Sequence, residues 1–496
     1  MEREESLLLY SAATLRQWEE QATAQGLQLM AEAGSCIAKW IQQHYPQPSK
    51  ILALVGPGNN GGDALIAAAE LRQYGYQVTA WMPQPPKSQE AKQALISAQL
   101  AGVVLHQTWQ PPCYDHELIL DGLFGIGLQR APTGQWAQLI AWANQQTSAK
   151  IAIDVPSGLD AWRGIANTPT LRVQHTLTFL AAKPGLWTGE GRDYCGKIDV
   201  FVLSVDKNPA LAEGEINRPA LSSLQQLVRV HASHKGRHGT TAIIGGSHGM
   251  TGAAILAGRA ALLTGSGKVQ LYCVAPTLTY DAEYPELMIQ EAEGNQPVSA
   301  DCYVVGPGLG QSQQATTLLS QALASDVPLV LDADALNLLA QNPEATRQIA
   351  QRPAETLLTP HPGEAARLLG WSIAEVQQDR IAACHALRQR YHCHVLLKGA
   401  GSLIMQQSGY YYLNPNGNPG MASAGQGDVL SGVIGGLVAQ GLPLFTAATL
   451  AAHVHATAAD QLAAQAEGYL GLTASRTAQH IPVVLNRWIK TLLNPY

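Results

Sequence analysis

The chain has 496 residues, 46% of them hydrophobic and only 14% charged, with a formal net charge of −6. That length exceeds the ~250–300 residues at which a single core stops growing, so two domains are expected. The composition excludes general disorder, which needs low hydrophobicity with high charge, and the acidic balance argues against a nucleic-acid partner.

Seven cysteines (Cys36, Cys113, Cys195, Cys273, Cys302, Cys384 and Cys393) form no C-x-x-C pair. Such a scattered, odd set reads as buried thiols in a reducing compartment rather than as a disulfide or zinc framework. The start, Met1 to Glu5, is charged and net acidic, unlike a signal peptide. Val429 to Ala452 carries no charge, but Gly435-Gly436, Gln440-Gly441 and Pro443 interrupt it, so two packed helices are expected instead of a membrane span. A soluble, cytoplasmic protein without a membrane partner follows as the expectation.

In chain order, a helical lead-in over Ala12 to His44 ends near Pro46 and Pro48. A strand at Ile51 to Val55 is followed by a glycine loop and a helix over Ala64 to Tyr74. Further strands are predicted at Gln77 to Met82, Glu117 to Leu120, Ile151 to Asp154 and Thr176 to Leu180. Alternating strands and helices indicate a parallel sheet covered on both faces. The polar, Pro- and Gly-bearing stretch from Asp206 to Pro219 marks a boundary, so a first domain over 1–216 and a second over 225–496 are expected. The second restarts with a strand at Thr240 to Ile244, a helix over Gly252 to Leu263 and a strand at Lys268 to Val274. Strands at Ala300 to Val305, Pro328 to Leu331 and Val395 to Leu397 follow, and the last third is helical. The fold class is therefore α/β in both halves.

Chemistry concentrates at the predicted strand ends. Gly56-Pro57-Gly58-Asn59-Asn60-Gly61-Gly62-Asp63 lies between a strand and a helix, where glycines permit close approach and free N–H groups face an anion. It lacks the lysine of a P-loop, and an ordinary capped turn is the competing interpretation. Asp121-Gly122-Leu123-Phe124-Gly125-Ile126-Gly127 and Asp154-Val155-Pro156-Ser157-Gly158 follow two other strands. In an open parallel sheet these loops can converge, so Asp63, Asp121 and Asp154 are candidates for one crevice with oxygen ligands for a hard cation.

These motifs, with Leu29-Met30-Ala31-Glu32-Ala33-Gly34, resemble the epimerase domain of the NAD(P)H-hydrate repair enzymes over roughly the first 215 residues. The resemblance implies a Rossmann-like domain that interconverts the two C6 epimers of hydrated NADH or NADPH. It implies that Asn60, Asp121 and Ser157 hold potassium. Asn59, Asn60, Gly61, Gly62 and Asp63 would line the hydrated cofactor, together with Gly125, Ile126, Gly127, Leu128, Gln129, Arg130, Ala131 and the catalytic Asp154. Ala64 and Ala69 stand where the family usually has glycine and arginine.

In the second half, Gly425-Gln426-Gly427-Asp428 precedes apolar residues at helical spacing (Val429, Leu430, Val433, Ile434 and Leu437) and so opens a helix. Its free amides suit a phosphate, and the dipole is expected to keep Asp428 ionised and able to accept a hydroxyl proton. An aspartate cap is the alternative. Asp332 and Asp334 follow a buried strand and read best as caps or loop braces. Glu364 suits a first-turn carboxylate or a ligand to magnesium-bound water.

With Ser233-His234-Lys235-Gly236, Gly306-Pro307-Gly308-Leu309-Gly310, Thr359-Pro360-His361-Pro362-Gly363-Glu364 and Lys398-Gly399-Ala400-Gly401, the set resembles the ribokinase-like superfamily. More specifically, it is similar to the dehydratase domain of the same repair enzymes over about 225 to 490. The resemblance implies that Ala253, Gly308, His361 and the catalytic Asp428 contact the hydrated cofactor. It implies that Lys398, Gly399, Ala400, Gly401, Ser402 and Gly427 contact ADP, used with Mg2+, and that the products are NAD(P)H, AMP and phosphate. Gln426 stands where the family often has threonine. A homo-oligomer binding only hydrated NADH or NADPH and ADP is expected. The alternative is a ribokinase-type small-molecule kinase with a ligand-binding or scaffold first half, against which His361 and the intact Asn60, Asp121 and Ser157 set speak.

Overall fold

The computed structural model describes residues 7–47, 49–108, 116–128, 130–275, 278–292 and 299–493. Met1 to Glu5, Pro48, Cys113 and Gln129 lie outside the described residues. The chain divides into two compact units, Met1–Ile216 and Asn217–Tyr496.

In the first unit a seven-stranded parallel sheet runs in the order Val104–His106, Gln77–Trp81, Lys50–Val55, Leu118–Gly122, Ala149–Ile153, His175–Phe179, Lys197–Phe201. The central strands are buried on both faces, as continuous apolar runs require. The chain leaves Lys50–Val55 toward one edge, then crosses to Leu118–Gly122 and builds toward the other. The strand order therefore reverses between these two neighbours, and the crevice beyond their carboxyl ends is where an open α/β sheet receives a ligand.

Several boundaries differ from expectation. The helix predicted from Ala64 begins at Asn59 and runs to Gln73, so Asn59 to Asp63 form its first turn rather than a loop. Gly58 in extended conformation precedes it and leaves the first amides uncapped by any side chain. The lead-in is two helices, Ala12–Ala24 and Leu29–His44, with Ser11 capping the first through Thr14 N. Asp121 lies inside its strand, paired in register with Leu54 and Ala152.

The second unit carries a sheet in the order Tyr411–Leu413, Leu403–Met405, His394–Leu397, Thr356–Leu358, Leu329–Leu331, Cys302–Val305, Thr240–Gly245, Lys268–Cys273, Met288–Glu291. The strands from His394–Leu397 onward are parallel, and the first two join as antiparallel hairpin strands. The uncharged stretch forms two helices, Gln426–Ala439 and Leu444–Gln465, split at Gly441 with φ +96°. No helix among the described residues is long and apolar enough to cross a membrane. Cys195, Cys273, Cys302, Cys384 and Cys393 are buried free thiols, and Cys36 is half-buried.

Candidate active sites

At the reversal point of the first sheet lies a cavity of about 870 Å³. Asn59, Asn60, Asp63, Gly125, Ile126, Gly127, Leu128, Arg130 and Asp154 line it, so most of the expected epimerase residues converge although they follow three different strands. Gly61 and Gly62 do not line it. A Cβ on Gly61 would collide with the Gly56 carbonyl and one on Gly62 with Met30, so both are needed for close packing beneath the turn. Ala131 is exposed and is not among the lining residues.

Asp154 ends the Ala149–Ile153 strand with φ +65°, a conformation rare for a residue with a Cβ and one that aims its carboxylate sideways. Its Oδ1 takes the Lys183 Nζ at 2.6 Å and the Thr178 hydroxyl at 3.0 Å. Lys183 is 2% exposed and donates also to Thr178 Oγ1 and Phe179 O, which locks its ammonium against Asp154. Gly125 separates Asn60 from Asp154, since a Cβ there would sit 3.3 Å from Asn60 Oδ1 and 3.4 Å from Asp154 Oδ2. Burial, then the carboxylates of Asp154, Glu19 and Glu90, push the Asp63 carboxyl well above its ordinary range. Two carboxyl groups of one cavity thus sit in opposite environments, one ion-paired and one favouring its proton.

Asp121 and Ser157 meet beside this cavity. Ser157 donates from Oγ to Asp121 Oδ1 at 2.7 Å and from N to Oδ2 at 2.8 Å, while Phe124 N donates to Ser157 Oγ at 3.0 Å. Both side chains are fully buried, and burial raises the Asp121 carboxyl to about 6 against the opposing Ser157 bonds. The Asn60 amide nitrogen is buried without a partner in the fold. Asn60 Oδ1, the Asp121 carboxylate and Ser157 Oγ are oxygen atoms from three segments, the atom type a hard cation takes.

In the second unit, Lys398 leaves the His394–Leu397 strand and its Nζ lies 2.6 Å from Asp332 Oδ1 and 3.7 Å from Glu364 Oε2. Gly427 and Asp428 occupy the first turn of the Gln426–Ala439 helix, after Gly425 at φ +87°. A Cβ on Gly427 would stand 3.3 Å from Lys398 Nζ, so the free amide turn and the ammonium share one small space. Ala253 and Gly308 are neighbours, a Cβ on Gly308 falling 3.2 Å from that of Ala253. His361 caps the Pro362–Leu369 helix: its Nδ1 accepts from Gly363 N at 3.0 Å and Glu364 N at 3.3 Å, while Glu364 Oε2 accepts from His361 N at 2.7 Å. Accepting at Nδ1 fixes the proton on Nε2, and burial, with Lys398 and Arg367 nearby, lowers the imidazole below its ordinary value.

One finding corrects the sequence reading here, and two extend it. Asp428 is not held ionised by the helix dipole: burial, then the charge of Asp332, raises it to about 7 despite Lys398. Gln426 turns away from the phosphate loop, bonded to His455 at 2.9 Å and Thr477 at 3.2 Å in the interior. Asp332 does cap Ala333 N, yet its carboxylate chiefly binds Lys398 and Ser431.

Comparison with known proteins resolves what such a pair of sites belongs to. Residues 241–482 match the family described as NAD(P)H-hydrate dehydratase, and residues 26–185 match the YjeF-related protein N-terminus. The bifunctional NAD(P)H-hydrate repair enzyme Nnr of Coxiella burnetii is 37% identical over 97% of this chain and 99% of its own length. That of Escherichia coli is 38% identical over 92% of this chain and 89% of its own. The chain belongs to the bifunctional NAD(P)H-hydrate repair enzymes.

Among solved structures, the ADP/ATP-dependent NAD(P)H-hydrate dehydratase from Bacillus subtilis, co-crystallised with ATP and Mg2+, is 28% identical with a TM-score of 0.48. It covers 54% of this chain and 97% of that one. For this repair enzyme, sequence reasoning missed Lys183, Glu19 and Arg380. Glu19 lines the epimerase cavity from the Ala12–Ala24 helix. Arg380 is 2% exposed and donates to the carbonyls of Leu397 and Lys398 at 3.3 Å and Gly401 at 3.5 Å, holding the expected nucleotide turn from below. Lys183 sits four residues past a strand, on the carboxyl edge where Asp154 lies, and that spacing is a signal for it.

Proposed function

We propose that this chain restores hydrated NADH and NADPH, epimerising the C6 hydrates in the first unit and dehydrating the S epimer with ADP in the second. The observation that carries the reading is Asp428, raised to about 7 at the head of an uncapped helix that shares its space with Lys398. A base with that affinity gives up and takes a proton near neutrality, as general-base work requires.

In the second unit the ionised Asp428 takes the C6 hydroxyl proton as that oxygen attacks the β-phosphorus of ADP, releasing AMP. Lys398 and the Gly427 amide stabilise charge on the transferred phosphoryl group. The phosphate ester then departs, pushed by the ring nitrogen lone pair, and loss of the C5 proton restores the dihydropyridine. Mg2+ would come with the nucleotide, with Glu364 able to hold one of its waters, and would neutralise phosphate charge.

In the first unit, inversion proceeds in this reading by breaking the C6–O bond. Protonated Asp63 gives its proton to the departing hydroxyl as the nitrogen lone pair forms N1=C6, and Asp154 faces the resulting positive ring. Water returns on the opposite face and gives its proton to solvent, from which Asp63 is reprotonated. Asn60, Asp121 and Ser157 would hold potassium, which when bound supplies positive charge beside the buried Asp121.

The test is incubation of the full chain with hydrated NADH and ADP, following the absorbance of restored NADH. Both epimers should convert to completion; absence of ADP-dependent NADH would refute the reading.

A further inference from the structure

Asp332 is more than a helix cap. An N-cap side chain ordinarily accepts from the second or third amide of its helix. Asp332 accepts instead from the first, Ala333 N, at 2.9 Å, and Ala333 adopts φ +48°, a conformation disfavoured for any residue with a Cβ. The bent backbone turns the carboxylate inward, where it is 1% exposed. There its Oδ1 receives Lys398 Nζ at 2.6 Å and its Oδ2 receives the Ser431 hydroxyl at 2.6 Å. Ser431 stands one turn beyond Gly427, and its hydroxyl oxygen also lies 3.1 Å from the Gly427 carbonyl. One carboxylate therefore ties the end of the Leu329–Leu331 strand to the Lys398 strand and to the first turn of the Gln426–Ala439 helix.

A buried ion pair is a weak stability device, because desolvation offsets most of its attraction. Its geometric effect is direct: the Asp332 contact holds Lys398 Nζ toward Gly427 in the first turn of the Gln426–Ala439 helix. We infer that Asp332 is a positioning residue of the dehydratase, aligning Lys398 and the Gly427 amide on the transferred phosphoryl group of a nucleoside diphosphate. This rests on the ADP-dependent reading of that site. The charged groups acting on Asp428 are Asp332, Lys398, Asp334 and Glu364, and Asp332 is the strongest of the carboxylates among them. Removing its charge accordingly changes the protonation of Asp428 as well as the aim of Lys398.

The experiment measures dehydration of hydrated NADH by the full chain against ADP concentration from pH 5.5 to 9, in wild type, Asp332→Asn and Ser431→Ala. Asp332→Asn should lower kcat at pH 8 at least tenfold, raise the KM for ADP and shift the acid limb to lower pH. A cap lost without functional consequence leaves that limb where it was, so an unmoved limb with wild-type KM overturns the inference. If Asp332→Asn does not fold by circular dichroism, Ser431→Ala decides: it keeps the Lys398 pair but cuts the tether, so KM for ADP should rise about threefold, and an unchanged KM overturns the inference. Wild type inactive with ADP would instead sink the dehydratase reading itself, a separate outcome.

Discussion

The two halves wind their sheets the same way but spend the reversal point differently. In the first, the loops after Lys50–Val55 and Leu118–Gly122 and the turn at Asp154 gather the reactive groups into one cavity at the reversal. In the second, the corresponding point, between Thr240–Gly245 and Cys302–Val305, lies beside Gly308 and Ala253, residues without charge. Its charged groups follow strands farther along the sheet: Asp332, Glu364 and Lys398. The difference matches the chemistry. On the mechanism proposed above, epimerisation encloses one ligand between Asp63 and Asp154, whereas phosphoryl transfer takes a second ligand along the charged groups beside the first. Fold alone thus locates a ligand but does not assign its reaction.

The strongest way to break this division is Asp428→Asn. Dehydration should fall about 10²–10⁴-fold, the usual contribution of a positioned general base, while epimerisation continues. Equal loss of both activities in a folded protein would mean that the two units do not divide the labour.

Lys183→Met should act on the other half. It leaves Asp154 without its cation in a largely buried setting, which costs roughly 3–5 kcal/mol when one partner of a buried pair is removed. The first unit should melt earlier, and clearance of the unreactive epimer should slow. Asp154→Ala, measured at short times to avoid spontaneous epimerisation, should abolish that clearance without touching dehydration. If it clears the epimer as fast as wild type, Asp154 is only a strand-end cap.

How far such residues could be read in advance depended on how local their signal is. Asp121, Asp154 and Asp428 were legible because each directly follows or opens an apolar run, so one stretch of sequence marks both the element and the site. Asn59 to Asp63 were found as a motif but misread as a loop, because paired glycines weaken a helix locally and only packing against Met30 and Gly56 makes them helical. The short strands Val104–His106, Thr356–Leu358 and Leu403–Met405 carry too few residues for any alternation to register. The work of Asp332 was hidden for another reason: its partners Lys398 and Ser431 stand 66 and 99 residues away. No local pattern announces a contact of that range.

The pH profiles sharpen the comparison further. Asp428 must be ionised to accept a proton, and its value of about 7 means that dehydration should climb through about pH 7, where it reaches half its plateau, and level off roughly one unit higher. In the proposed mechanism Asp63 works protonated, and because burial and neighbouring carboxylates shift it upward, epimerisation should hold at low pH and decline as pH rises through its elevated value. The two activities of one chain should therefore slope in opposite directions, as initial rates with each purified epimer will reveal. Parallel profiles would remove Asp63 from the acid role.

The smallest expected effect belongs to Gly125→Ala. The new Cβ would stand 3.3 Å from Asn60 Oδ1 and 3.4 Å from Asp154 Oδ2, slightly inside comfortable contact with both. Neither neighbour is backbone, so each can yield by a few tenths of an ångström, and the fold should keep its melting temperature. What the methyl does change is the gap between the amide of the proposed cation loop and the carboxylate facing the reacting ring. A loss of roughly two- to fivefold in epimerisation is expected, below one tenfold step of about 1.4 kcal/mol, with dehydration unaltered. A hundredfold loss in a protein of unchanged stability would show that the ligand itself passes through this gap, placing the reacting carbon between Asn60 and Asp154 rather than beside Asp154 alone.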